Sequence, residues 1–228
     1  MAPDSAPHPD SPPSHPFLVI IGGHSRSVGK TSLVAGLIAA MPECGWTAIK
    51  ITQYGHGVCS AHGEPCDCAP SALDHEWVIT EERDPSGGSD TSRFLASGAR
   101  RALWVRTRQG MLAEAIPALR ERLGGSSNVI MESNSALQFF RPDVYLTVLD
   151  PSIPDFKESA KRFLDRADAL VLHSRKGQPR WQGISLRPAA HSEVFHIQAP
   201  GYCTAEIVQF VKNRMGRLRD CGIGELPN

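Results

Sequence analysis

No run of this chain is apolar for long enough to cross a membrane, and neither sign of charge predominates. Twenty-four Lys and Arg balance 24 Asp and Glu, so nothing in the net charge demands nucleic acid or an anionic membrane as partner. The apolar runs stay well short of the ~18 residues of a membrane span. No internal repeat is present. The N-terminus is polar and Pro-rich and lacks the apolar core of a secretory leader, so the expectation is a cytoplasmic chain. Six cysteines without a secretory segment suggest reduced thiols or metal ligands rather than a disulfide frame.

The charge is uneven along the chain. Residues 1–150 carry 12 basic and 16 acidic side chains, and residues 151–228 carry 12 and 8. The mildly basic C-terminal part suits either an anionic ligand or an ordinary solvated surface.

The strongest local signal is FLVIIGGHSRSVGKTSL, Phe17 to Leu33. An apolar run meets a glycine pair, a polar loop follows, and Gly29-Lys30-Thr31 opens an apolar helical pattern. This is the order of a phosphate-binding P-loop: strand, loop, helix. Loop amides and the helix N-terminus present N–H groups and a positive dipole end to an anion. The loop residues Gly23, His24, Ser25, Arg26, Ser27, Val28 and Gly29, followed by Lys30, Thr31 and Ser32, are the candidate phosphate contacts. Lys30 would reach the β- and γ-phosphates, and the Thr31 hydroxyl would ligate Mg²⁺. The glycine spacing is one residue longer than the strict motif, because His24 stands where the first glycine belongs. His24 and Arg26 could each add a positive contact to a phosphate or an acidic substrate, or be ordinary surface charge.

Residues 1–16 contain six prolines and no apolar period, which predicts a disordered tail. Residues 17–228 then read as a single α/β domain. Strands are expected over Phe17–Ile21, Trp46–Ile51, Glu76–Thr80, Ala102–Arg106, Val129–Glu132, Val144–Leu149, Ala169–His173 and Val194–Ile197. Helices are expected over Lys30–Met41, Thr91–Ser97 (capped by Asp90 and stopped by Gly98), Met111–Leu123 (kinked or restarted at Pro117), Pro154–Leu164 and Thr204–Leu218. Alternating strands and helices predict a mostly parallel sheet covered on both faces, a P-loop NTPase-like three-layer sandwich. A Cys-rich insertion occupies about residues 52–88.

Glu132 ends the apolar strand NVIME, where an acid can hold Mg²⁺ or place the attacking water; an ordinary strand-end acid has the same appearance. Asp90 is the second acid, as a cap, a metal-facing group or both. Cys59, Cys66 and Cys68, with His62, could supply a structural Zn²⁺ site, or they are free thiols in a flexible loop. His56 and Asp67 lie nearby. Arg100 and Arg101 follow the Gly98 turn and could meet a phosphate or an acidic substrate, or be ordinary surface charge. His173-Ser174-Arg175-Lys176 follows a late strand, where many P-loop proteins select the base. No Asn-Lys-x-Asp signature is present to specify guanine.

Across about residues 17–150 the pattern resembles the molybdopterin-guanine dinucleotide biosynthesis protein B family. The loop HSRSVGKTSL, the strand end Ala48-Ile49-Lys50-Ile51-Thr52, the segment from Ser89-Asp90-Thr91 to Ser97-Gly98-Ala99, and Val129–Glu132 are similar to that family's landmarks in order. The chain differs at Ser27 and Ser133, where the family has Gly. The resemblance implies GTP binding with slow hydrolysis, a homodimer, and a role beside cofactor-maturation proteins in molybdenum cofactor synthesis. It implies catalytic roles for Lys30, Asp90 and Glu132, Mg²⁺ on Thr31, Asp90 and Glu132, and Lys50 near the phosphates. Two other functions fit the residues. One is a dethiobiotin-synthetase-like ligase or kinase that passes phosphate from ATP to a small anionic substrate. The other is a metal- or partner-binding module with a degenerate P-loop.

Overall fold

The computed structural model describes residues 16–54, 76–175 and 178–221. Their strands are β1 (Phe17–Gly23), β2 (Thr47–Tyr54), β3 (Trp77–Glu82), β4 (Arg101–Arg108), β5 (Asn128–Glu132), β6 (Val144–Leu149), β7 (Ala169–His173) and β8 (Glu193–Ile197). The helices are α1 (Lys30–Ala40), α2 (Asp90–Ala96), α3 (Leu112–Leu123), α4 (Glu158–Arg162) and α5 (Ala205–Cys221). The strands form one sheet in the order β3-β4-β2-β5-β1-β6-β7-β8. All pairings are parallel except β3 with β4, an antiparallel edge. β1, β5 and β6 are buried along their whole length, which is why they read as unbroken apolar runs rather than alternating ones.

Side chains alternate between the two faces of the sheet, and each face has its own core. Val19, Ile21, Ala48, Ala102 and Ile130 pack with α1, α2 and α5 through Leu33, Leu37, Phe94, Ile207 and Val211. Leu18, Ile20, Ile49, Leu103 and Met131 pack with α3 and α4 through Leu112, Ile116, Leu119 and Ala160. The fold is therefore the expected three-layer α/β sandwich of P-loop type, with β1 between β5 and β6.

Several expectations need correction. Ser89, not Asp90, caps α2: its Oγ accepts the Ser92 N–H at 2.9 Å, and Asp90 is the first helical residue. The helix expected over Pro154–Leu164 shrinks to α4 plus a short 3₁₀ turn at Leu164–Arg166. Lys157 is extended and gives its N–H to His24 O at 2.8 Å, so helical bonding cannot begin before Glu158. α3 runs from Leu112 to Leu123 as one helix with Pro117 inside it. β2 continues past the expected Ile51 to Tyr54, because each of its residues is paired in register with β4, and the strand expected over Glu76–Thr80 runs from Trp77 to Glu82. The tail expectation falls, except for Pro16, outside the described residues.

Candidate functional site

In a mostly parallel sheet the strand C-termini share one edge, and ligands gather in the crevice outside it. Here that edge opens into a cleft of about 1650 Å³ lined by Gly29, Lys30, Thr31, Lys50, Asp90 and Glu132, among others. Gly29 makes the entry to α1 in the left-handed region, at φ 96. A Cβ there would lie 2.1 Å from the Tyr202 ring, so both backbone and space demand glycine. Ser27 is also left-handed, at φ 54, the conformation that explains why a similar loop would carry glycine at that place.

The loop is held from below by residues that carry no motif in the sequence. Asn134, in the turn after β5, accepts the Gly23 N–H at 2.9 Å and donates to Gly23 O at 2.9 Å. A Cβ on Gly22 would lie 2.4 Å from Asn134 Oδ1 and 2.8 Å from the Tyr145 hydroxyl, and these two side chains account for Gly22. Ser25 Oγ donates to Asp155 at 2.7 Å. His173 Nε2 lies 2.9 Å from Val28 O, and its ring meets Tyr202 edge-on. Only tertiary contacts mark Asn134, Asp155 and Tyr202 as part of the site.

The catalytic candidates meet for a reason of register. Lys50 on β2 stands level with Glu132 on β5 and Trp104 on β4. In-register neighbours point to the same face, here the face that carries α1 and α2. Thr31 Oγ1 donates to Glu132 Oε2 at 2.8 Å. Lys50 Nζ bridges Glu132 Oε1 at 2.5 Å and Asp90 Oδ2 at 2.8 Å. Glu132 is only 2% exposed, so this pairing offsets a costly burial. Burial would lower the Lys50 ammonium, but the Glu132 and Asp90 charges raise it. Burial would raise the Asp90 carboxyl, but Lys50 holds it below the usual range. Lys30 Nζ donates to Ser25 O, and burial brings its pKa down to about 8 against the pull of Glu132.

Other sequence candidates land differently. Arg26, Ser27 and Ser32 line the cleft. His24 does not offer a positive contact: it is fully buried, flanked by Phe156 and Trp181, and burial lowers its pKa. Val28 is buried in the core, and Ser25 is spent on Asp155. Arg100 and Arg101 stand at the start of β4, the opposite edge of the sheet, where Arg101 pairs with Glu81 at 3.0 Å. His173 is buried under the loop, and Arg175 is tied to Asp150 at 3.1 Å. Cys59, His62, Cys66 and Cys68 lie outside the described residues, as does Lys176. Among the described residues no cluster of three or more His, Cys, Asp or Glu could hold a metal ion, and no helix is long and apolar enough to cross a membrane.

Fold and site together define an α/β chain of P-loop type with an acid-bearing strand beside the loop strand. No protein-family model matches the chain, and no curated protein matches it in sequence. Among solved structures it is similar to HypB from Helicobacter pylori in complex with nickel, at 12% identity and TM-score 0.46, over 93% of this chain and 91% of that one. A zinc-bound triple mutant of the YjiA GTPase aligns at 14% identity and TM-score 0.42, over 85% of this chain and 61% of the other. The signal recognition particle 54 kDa protein from Aeropyrum pernix K1, in complex with GDP, aligns at 15% identity and TM-score 0.42, over 94% and 52%. The chain thus spans less than two thirds of the last two. None of these likenesses assigns a ligand or an activity here.

Proposed function

We propose that the chain binds a nucleoside triphosphate with Mg²⁺ at the Gly23–Thr31 loop and hydrolyses it slowly. One observation carries the reading: Lys30 and Thr31 open α1 on the cleft, and the Thr31 hydroxyl reaches the Glu132 carboxylate of the neighbouring strand. The Lys30 ammonium and loop N–H groups would stabilise charge on the β- and γ-phosphates. The oxygen donors Thr31, Asp90 and Glu132 fit a hard cation such as Mg²⁺, which keeps several waters and needs few protein ligands. When bound, Mg²⁺ supplies charge neutralisation on the phosphates. Lys50, which already bridges both carboxylates, fixes their orientation. Hydrolysis then joins a water oxygen to the γ-phosphorus and breaks the bond to the β–γ bridging oxygen. Catalysis rests on positioning and electrostatics, with no covalent enzyme intermediate.

The finer assignment, GTP as substrate and an accessory role in molybdenum cofactor synthesis as a homodimer, is supported by the motif resemblance alone. Calorimetric titration of ATP and GTP with Mg²⁺, on the wild type and on Lys30→Ala, tests the proposal. Binding of one nucleotide that is lost in the variant supports it, and a preference for GTP supports the finer assignment. No binding of either nucleotide by the wild type overturns it.

A further inference from the structure

The cleft is larger and more basic than one nucleotide requires. Ligand pockets commonly hold roughly 300–1,000 Å³, against about 1650 Å³ here. Seven Lys or Arg and four Asp or Glu of the described residues line it, in a chain of zero formal net charge. The P-loop and its helix account for one side of the cleft. The other side belongs to the opposite layer of the sandwich, where Lys157, Lys161 and Arg162 face the same space with Asn134, Gln138 and Phe163.

Lys157, the extended residue that caps α4, and Lys161, in the last turn of α4, both line the cleft. The Lys157 charge lies close enough to help lower the Lys30 pKa. The Lys157 N–H is bonded to His24 O at 2.8 Å, which fixes the start of this wall against the phosphate loop. Lys161 pairs with Glu158 at 2.6 Å, but both are exposed, and such a pair exchanges readily for another anion. Arg162 is exposed and makes no hydrogen bond or ion pair among the described residues.

We infer that the α4 wall of the cleft binds a second, small anionic ligand, a polycarboxylate or a phosphate ester, opposite the nucleotide phosphates. Lys161 and Arg162 take its charge, and the Gln138 amide gives it a neutral hydrogen-bonding partner. The inference rests on the nucleotide reading only in assigning the two walls to different ligands. A fork-shaped guanidinium beside a mobile ammonium suits a planar carboxylate or a phosphate.

The test titrates succinate, and separately inorganic phosphate, into the full chain saturated with Mg²⁺ and a non-hydrolysable nucleotide, at low ionic strength. The wild type should show one saturable site, weakened at least about tenfold in Lys161→Ala/Arg162→Ala and regained in Lys161→Arg/Arg162→Lys. Tighter succinate binding marks a carboxylate ligand, and tighter phosphate binding marks a phosphate ester. The same titrations on Lys30→Ala without nucleotide read the α4 wall when the P-loop is disabled, so loss of the nucleotide reading is seen separately. No saturable site, or equal affinity in wild type and the alanine variant, overturns the inference.

Discussion

Lys30 is the residue on which phosphate binding should turn, and its burial gives it a pH signature. Its pKa is lowered from 10.5 to about 8. Anion binding selects the charged form, so nucleotide affinity should be flat below about pH 8 and fall about tenfold per unit above it. Lys30→Arg keeps its charge across this range and should flatten the curve; calorimetry from pH 7 to 9.5 reads both. The same shift means that the unliganded fold gains stability as pH rises from about 8 toward 10.5, because the unfolded chain then holds more protons. Asp150 has the same sign of pH dependence at the acid end of the scale, but there the shift stabilises the fold at neutral pH. Burial would raise its carboxyl, but hydrogen bonds from Ser152 and Arg175 hold it down at about 2. Its contribution is present above the unfolded value of 3.8 and lost as pH falls through about 2. Asp150→Asn should therefore lose stability at neutral pH and show a shallower acid limb in denaturant titrations between about pH 4 and 2. At Gly29, alanine must accept φ 96 and a Cβ 2.1 Å from the Tyr202 ring. Gly29→Ala should cost about 1–3 kcal/mol of stability, with part recovered in Gly29→Ala/Tyr202→Ala.

At the scale of elements, the site depends on how three strands stand against one another. The row Trp104–Lys50–Glu132 exists because β4, β2 and β5 are parallel and in register. Removing Lys50 leaves a nearly inaccessible Glu132 carboxylate with its main cationic partner gone. Lys50→Met should cost about 3 kcal/mol in urea unfolding, and Lys50→Met/Glu132→Gln should recover much of it. The turn after β5 matters in a different way. Asn134→Ala strips both hydrogen bonds from Gly23 and should cost about 1–3 kcal/mol while weakening nucleotide binding. The apolar pattern alone makes β1, β5, β6 and α1 legible, because each buries nearly all of its length or one whole face. The pattern over Pro154–Leu164 misleads, because the Lys157 N–H is taken by His24 O rather than by a preceding turn. No periodicity records such a long-range bond.

At the scale of the molecule, a neutral chain concentrates positive charge in one cleft at the C-terminal edge of its sheet. Nucleotide affinity should therefore fall with added salt. If the ligand binds only the folded state, saturation at 100 times the dissociation constant stabilises by about 2.7 kcal/mol. For a chain of this size that raises the melting midpoint by roughly 5–10 °C. A thermal shift series with GTP and ATP measures it, and Lys30→Ala should show almost none. Two core layers back this cleft, one under α1, α2 and α5 and one under α3 and α4, so the cleft receives side chains from both faces.

Local sequence was enough for the alternation of strands and helices, the P-loop at Gly23–Thr31 and the acid at the end of β5. Each of these is a local matter: apolar period, glycine chemistry, and a charge placed at the end of an apolar run. Tertiary structure alone decided that Lys50 bridges Asp90 and Glu132, that Asn134 clamps Gly23, that His24 faces the core, and that Arg101 lies at the opposite edge from the cleft. These depend on strand order and register, which bring together residues such as Gly23 and Asn134 that stand 111 positions apart. The physical reason is that a side chain's role follows from the groups that remove it from water, and those groups come from elsewhere in the chain.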